Sequence, residues 1–378
     1  MNKNGVCFIF LTILVTSAPT IASTPATASS ASVDRLRQAA SYLLEMYNPR
    51  LGLIANSEDK GLNPLGDEGV PCTNTYWIYS DNLWAGWALQ PYDAIIAENV
   101  SFTVQGYIDQ HGLSMLFEAA IGEPIPTTIH ANKNIKVFDD VVNGDRVQVL
   151  LDRHQFADNP GVFDDAEEYA DLCFYLTINY WMMNDTGAAT HWFRRGEAWW
   201  NTTTNYGFYD KATQTVGRYQ NYKLGLFLLT QRATGFSSNI TDPVEMTAWS
   251  YQNALGGITT QSWLNGSRYG TANTEATAAL LLAYNNKLTD RLHKNQTYAD
   301  YLVEVLTAQV NNLREENTWL REEIGVFRDS PWLVRPLPPW LIILVGTTLV
   351  STTFSCILIA RGKRRRTSPQ DLMTAAST

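Results

Sequence analysis

The sequence predicts a mainly α protein assembled from helical hairpins, with one small antiparallel β insertion. Amphipathic stretches alternate with short loops centred on Gly52, Gly112, Gly161, Gly207 and Gly257. These glycines recur roughly every fifty residues, a spacing that fits a helix-turn-helix unit repeated along the chain. Only residues 115–152 break the pattern. There apolar and polar positions alternate, and Asn143-Gly144 stands between two β-rich runs, which is a strong two-residue hairpin signal.

The elements follow in order. Residues 1–23 carry Lys3, an apolar run and a small-residue end, the layout of a signal peptide. The apolar part is too short for a membrane span. Residues 24–32 are small and polar and are expected to be disordered. Helices are expected near 34–47, 80–90, 99–111, 165–183, 187–200, 218–234, 242–253 and 272–286, within a domain covering 33–298. Asp81, Asp165 and Thr274 stand near helix starts, where side-chain oxygens satisfy free N–H groups.

Residues 299–328 form a stalk. Val303, Leu306, Val310, Leu313, Asn317, Leu320, Ile324 and Phe327 are spaced alternately three and four apart, a heptad seam with Val, Asn and Ile at a and mostly Leu at d. The segment resembles leucine-zipper sequences, and a parallel homodimer is the expectation. A lone amphipathic helix lying on the domain is the alternative, since an apolar stripe by itself fits both. Residues 338–360 hold no charge and are long enough to cross a bilayer. "RGKRRR" follows at once, so the positive-inside rule places the tail 361–378 in the cytoplasm and the N-terminal domain outside the cell.

The formal net charge is −9, and the basic tail means the remainder is more acidic still. Such a domain is not expected to bind nucleic acid. Cys72 and Cys173 are the cysteines of the expected exterior, where a disulfide is favoured; two unrelated buried thiols are the alternative. No Cys or His pair has metal-ligand spacing. The acidic loop "NSEDKGLNPLGDEG" has oxygens suited to Ca²⁺ but lacks EF-hand spacing, so a solvated loop is the default and no cofactor is expected. Glycosylation sequons stand at Asn99, Asn184, Asn201, Asn239, Asn265 and Asn295.

The stretch "SYQNALGGITTQSWLNGSRYGTANTEATAALLLAY", residues 250–284, resembles a repeat of the α/α-toroid proteins. In these a Gln-containing helix end, a Gly-Gly-apolar turn and a Thr-rich Ala/Leu helix recur. That superfamily includes six-hairpin glycosidases and, more distantly, terpenoid cyclases and protein prenyltransferases. "YNPRLGLIANSE" and "YWIYSDNLWAGWAL" are more similar to the glycosidase pattern. The chain departs from it in having about eight expected helices where a full toroid has twelve. The cyclase acidic motif and the prenyltransferase zinc ligands are also missing. The resemblance implies a partial toroid whose loops converge on a cavity.

On that reading Asp81 and Asp165 are the expected catalytic carboxylates, with Glu275 in reserve, one as acid and the other as base or nucleophile toward a sugar. Trp77, Tyr79, Asn82, Tyr209, Asp210, Gln261 and Trp263 are the expected substrate contacts, aromatic rings suiting the C–H faces of sugars. Carboxylates at helix starts are also favoured by the helix dipole alone. Trp84 and Trp87 share one helix face and are expected in the core. Two function classes follow: a membrane-tethered glycan-processing enzyme, or a noncatalytic surface protein that binds glycans or partner proteins.

Overall fold

The computed structural model describes residues 30–61, 70–142, 144–156 and 164–294, together with Thr307, Val310, Asn311, Arg314, Asn317 and Thr318. The expected signal peptide, membrane span, cytoplasmic tail and most of the leader and stalk lie outside the described residues. Among those described, no helix is long and apolar enough to cross a membrane. The chain divides into units 1–303 and 304–378. In the second, the six described residues are all helical and exposed, Val310 and Asn317 of the expected seam among them.

The first unit is mixed α/β, mostly helical, with three small sheets. It opens with α1 (Ser30–Glu45), whose Ala39, Ala40, Tyr42 and Leu43 are buried. The loop at Gly52 is a tight hairpin between β1 (Tyr47–Asn48) and β2 (Leu53–Ile54). Strand β3 (Thr75–Trp77) runs into a π-helical turn, Ile78–Leu83, and then α2 (Trp84–Ala88). Helix α3 (Ala94–His111) starts where the Asp93 carboxylate accepts from Ile96 N–H and ends at Gly112, whose φ of 86° lies in glycine's range.

The predicted insertion is present but shorter. Residues Phe117–Ile121 form a 3-10 turn, and the strands are β4 (Ile129–Val142) and β5 (Asp145–Phe156), antiparallel, with Gly144 at φ 90° in the turn. Strand β3 adds to β5 in parallel, so the hairpin is joined to the segment that leads into α2.

Helix α4 (Ala170–Met182) is preceded by a 3-10 turn, Ala166–Glu168, so the expected helix at 165–183 is broken near its start. Helix α5 (Thr186–Glu197) and the short α6 (Lys211–Val216) follow, the latter capped by Asp210. The expected helix at 218–234 begins as strand β6 (Arg218–Gln220) before α7 (Tyr222–Thr234). Next come α8 (Thr241–Ser250), β7 (Thr259–Trp263), β8 (Arg268–Ala272), α9 (Thr274–Leu282) and α10 (Asn286–His293). Strands β6, β7 and β8 make an antiparallel sheet that the helical reading of the sequence missed.

Helices α4, α7 and α9 have apolar residues all round, and each is buried along most of its length. That is the pattern of helices enclosed by others. Helix α9 packs against α2 and α7, and α7 against α4. The α7–α9 crossing is close because Gly225 has no side chain: a Cβ there would lie 2.5 Å from the backbone of Ala279 and Leu280. Helices α5 and α10 are amphipathic and cover this layer. Trp84 and Trp87 are buried as expected, Trp84 donating its indole N–H to Phe117 O at 3.0 Å.

Candidate active site

Three buried helices and the π turn before α2 each bring a charged residue to one place. Asp81 lies in the π turn just before α2, while Asp171, Lys223 and Glu275 occupy the first turns of α4, α7 and α9. All four line one cavity of about 610 Å³, closed on other sides by Lys133 and His154 of the β hairpin and by the β6–β7–β8 sheet. Its volume falls within the range of sites for small organic ligands.

Asp81 is buried. Ser80 donates to its Oδ1 at 3.1 Å, whereas Oδ2 is buried without a hydrogen-bond partner. Burial, and then the negative charges of Glu275 and Asp152, push its carboxyl well above the usual range. Burial also raises Glu275 to about 7, despite the opposing ammonium of Lys133 and with Asp152 and Asp171 adding repulsion. Each carboxyl therefore resists ionisation, and the two titrate as a coupled pair.

Lys133 Nζ stands 3.6 Å from Asp152 Oδ2 and 5.0 Å from the Trp77 ring centre. Burial works to lower its pKa, but Asp152, Glu275 and Asp81 outweigh that and hold it above its ordinary value. His154 is pushed down to about 3 by burial and by Lys133, so its imidazole is neutral near pH 7 and is a weak base there.

Asp171 has the opposite environment. Tyr222 donates to its Oδ2 at 2.5 Å, and Lys223 Nζ lies 3.1 Å from its Oδ1. Burial acts to raise its pKa, but Lys223 and the Tyr222 hydroxyl hold it below the usual carboxylate range. Lys223 is itself enclosed, with Asp210 on its other side. Among the carboxyls that line the cavity, Asp81 and Glu275 thus resist ionisation and Asp171 is kept ionised.

The structure brings together only some of the expected site residues. Glu275, Trp77 and Gln261 line the cavity with Asp81. Asp165 is not among the lining residues, so the expected Asp81–Asp165 pair does not form. Its carboxylate accepts from Ala131 N–H at 3.1 Å and sits 3.5 Å from His130 Nδ1, fixing the start of β4. Tyr79 is in the core, its hydroxyl donating to Gly112 O. Asn82 is a buried clamp whose oxygen accepts from Ile54 N–H at 2.7 Å while its amide donates to Ile54 O and Trp77 O. Asp210 accepts from Ala170 N–H and Thr213 N–H and balances Lys223. Tyr209 is exposed away from the cavity, and Trp263 borders a shallow depression beside it.

Asp171, Lys133, Lys223, Tyr222 and Arg218 were not expected at the site. Lys223 gave no signal in the sequence, because the expected helix at 218–234 puts it in the second turn; with α7 starting at Tyr222 it stands in the first turn, where a cation opposes the helix dipole and calls for buried anions.

The two thiols do not pair. Cys72 lines the cavity, whereas Cys173 is buried in α4 with its Sγ 3.3 Å from Ala166 O. Burial pushes the Cys173 thiol up and leaves it unreactive. Dithiothreitol is expected to leave the melting temperature unchanged, and alkylation of Cys173 is expected only on unfolding. A fall in melting temperature on reduction would show a disulfide.

Among the sequons, Asn99, Asn184, Asn239 and Asn265 are exposed. Asn201 is half-buried, and its amide donates to the Tyr219 hydroxyl at 2.9 Å, which leaves it a poor acceptor site. Asn295 lies outside the described residues. In the acidic loop Asp59 accepts from Gly61 N–H and Glu58 from Asn253, and among the described residues no three metal-ligating side chains cluster.

No family profile, curated protein or solved structure matches this chain.

Proposed function

We propose that the chain is a single-pass, membrane-anchored glycoside hydrolase whose extracellular domain is a partial α/α toroid. The observation that carries this reading is the Asp81–Glu275 pair, two carboxyls that line one cavity and whose burial favours their protonated forms. Glycosidic bond cleavage needs that combination. One carboxyl gives its proton to the leaving oxygen as the C–O bond breaks. The other, ionised, takes a proton from the attacking water or itself bonds to the anomeric carbon. Lys133 lowers the cost of the charged form.

Trp77, Tyr169, Tyr222 and Tyr269 supply aromatic rings around the cavity, and Gln220, Gln261 and Asn273 supply amides for sugar hydroxyls. The stacking of α2, α9, α7 and α4, with the first turns of α4, α7 and α9 and the π turn before α2 lining the cavity, supports the toroid reading. The test is a glycan library incubated with the full-length protein in detergent. Release of a new reducing end, lost in Asp81→Asn and Glu275→Gln, is the expected result. Binding without cleavage would make the chain a glycan-binding surface protein. Cleavage that survives both substitutions would overturn the site.

The stalk is proposed to be dimeric on its heptad spacing, and the helical state of Val310 and Asn317 is consistent with that. Chemical crosslinking in detergent is expected to give a dimer, with Asn317→Leu relaxing the choice of two strands without abolishing association. A monomer at high concentration would sink this part of the proposal.

A further inference from the structure

The cavity is lined by three lysine or arginine side chains, and two are neutralised. Lys223 sits between Asp171 and Asp210, and Lys133 beside Asp152. Arg218 has no such partner. Other arginines of the domain meet carboxylates, as in Arg146–Asp139, Arg194–Glu197, Arg195–Glu167 and Arg232–Glu245. Arg218 forms no ion pair among the described residues, and its Nε–H is buried without an acceptor. What holds it is aromatic: its guanidinium lies 4.1 Å from the Tyr269 ring centre and 5.8 Å from that of Trp263. Those two rings meet edge to face at 4.8 Å.

The sheet register explains the arrangement. Arg218 pairs with Trp263, Gln220 with Gln261, and Gln261 with Tyr269. Directly opposed residues of an antiparallel pair project to the same face, and alternate residues along each strand share it. Arg218, Gln220, Gln261, Trp263 and Tyr269 therefore form one face, while Tyr219 and Ser262 on the other are buried. Four of the five line the cavity, and Trp263 extends the row to the depression next to it. In a strongly acidic protein, a half-buried guanidinium kept from every carboxylate among the described residues and fixed by two rings is preset for an anion from outside. A guanidinium fork matches carboxylate and sulfate oxygens.

We infer that this sheet face is a subsite for an acidic sugar, a residue bearing a carboxylate or sulfate, with Arg218 as the group that recognises the charge. The inference rests on the glycan-processing reading and names its substrate class. The ring pair of Trp263 and Tyr269 stacks beside the sugar, and Gln220 and Gln261 meet its hydroxyls.

The test is calorimetric titration of the full-length protein in detergent, carrying Glu275→Gln so that turnover does not deplete the ligand. Probes are a short oligouronate, the same oligosaccharide with its carboxyls reduced to hydroxymethyl groups, and a sulfated neutral oligosaccharide. One of the two charged probes is expected to bind at least about 10-fold more tightly than the reduced one. Which of them does so identifies the anion. Arg218→Met should abolish the preference, and Arg218→Lys, which keeps charge without the fork, should retain part of it. Equal affinity for charged and reduced probes, or a preference that survives Arg218→Met, overturns the inference. Failure of the parent protein to cleave the charged glycan it binds defeats the hydrolase reading and leaves the subsite standing. Cleavage of neutral glycans with no dependence on Arg218 does the reverse.

Discussion

Glu275→Gln is expected to lower glycan hydrolysis about 10³-fold, the scale of a lost proton-transfer group, while making the protein more stable at pH 8. The two effects have one origin. The Glu275 carboxyl titrates near 7 in the folded protein, against about 4.3 in an unfolded chain. Between those values the folded state binds more protons than the unfolded one. The stability present below the unfolded value is therefore lost as pH rises toward 7. Gln carries no charge and escapes that loss. The variant should melt higher than the parent at pH 8, and the gap should close by about pH 4. Asp81→Asn should behave in the same direction, since burial and Glu275 raise its carboxyl too. Activity should fall above pH 7 as the pair loses its remaining proton. Thermal melts across pH, run beside the glycan assay, check both halves. A variant that keeps its rate, or melts in parallel with the parent at every pH, removes the pair from the chemistry.

Lys223→Met is expected to cost about 3–5 kcal/mol of stability, because it leaves buried carboxylates without their cation. Asp171 and Asp210 flank Lys223 from different parts of the chain, and all three are buried. Burial works against the charged lysine, but the two carboxylates outweigh it and hold its pKa above the ordinary value. Asp171 is held below its ordinary value. The depressed carboxyl contributes stability that is present above its unfolded pKa of about 4 and lost as pH falls through the folded value. The raised ammonium contributes stability that is present below about 10.4 and lost as pH climbs through its own folded value. The parent should therefore show a broad plateau between these limits. Without the cation, Asp171 becomes a carboxyl that resists ionisation, and the variant should be relatively better in acid. Adding Asp210→Asn to Lys223→Met should recover part of the loss. Denaturant unfolding at pH 4 and pH 8 reads both; equal midpoints for parent and Lys223→Met would show that the buried charges do not matter.

Local chemistry was legible in the sequence, and convergence was not. Asn143-Gly144 announces its hairpin because the turn needs glycine's backbone freedom within two residues. Helix starts were legible only roughly: Asp81, Asp165 and Thr274, expected to satisfy free N–H groups at helix starts, do not cap a helix with their side chains, whereas Asp93, Asp185, Asn273 and Asn285 do, each accepting from an N–H three residues on. Asp81 and Glu275 stand near turns in the sequence, and both line the cavity. Asp165 stands near one too and does not, because what separates them is tertiary: β4 captures one carboxylate and the buried helices aim the others inward. The sheet of β6, β7 and β8 was missed since Arg218–Gln220 is only three residues long and runs directly into an apolar helix. With it went Arg218 and Tyr269, whose meeting depends on register between strands far apart in sequence.

The π turn at Ile78–Leu83 gives the site an unusual dependence on residue count. An α-helix advances about 100° per residue, and a π turn takes in one residue more than an α turn. The extra residue rotates everything upstream of α2 relative to everything downstream. Asp81 faces the cavity while Trp84 and Trp87 face the core, though all belong to one continuous run. Removing Asn82 or Leu83 would turn Asp81 by about 100° relative to α2 and so away from the cavity. The number of residues in this segment, as well as their identity, therefore sets where Asp81 stands relative to α2.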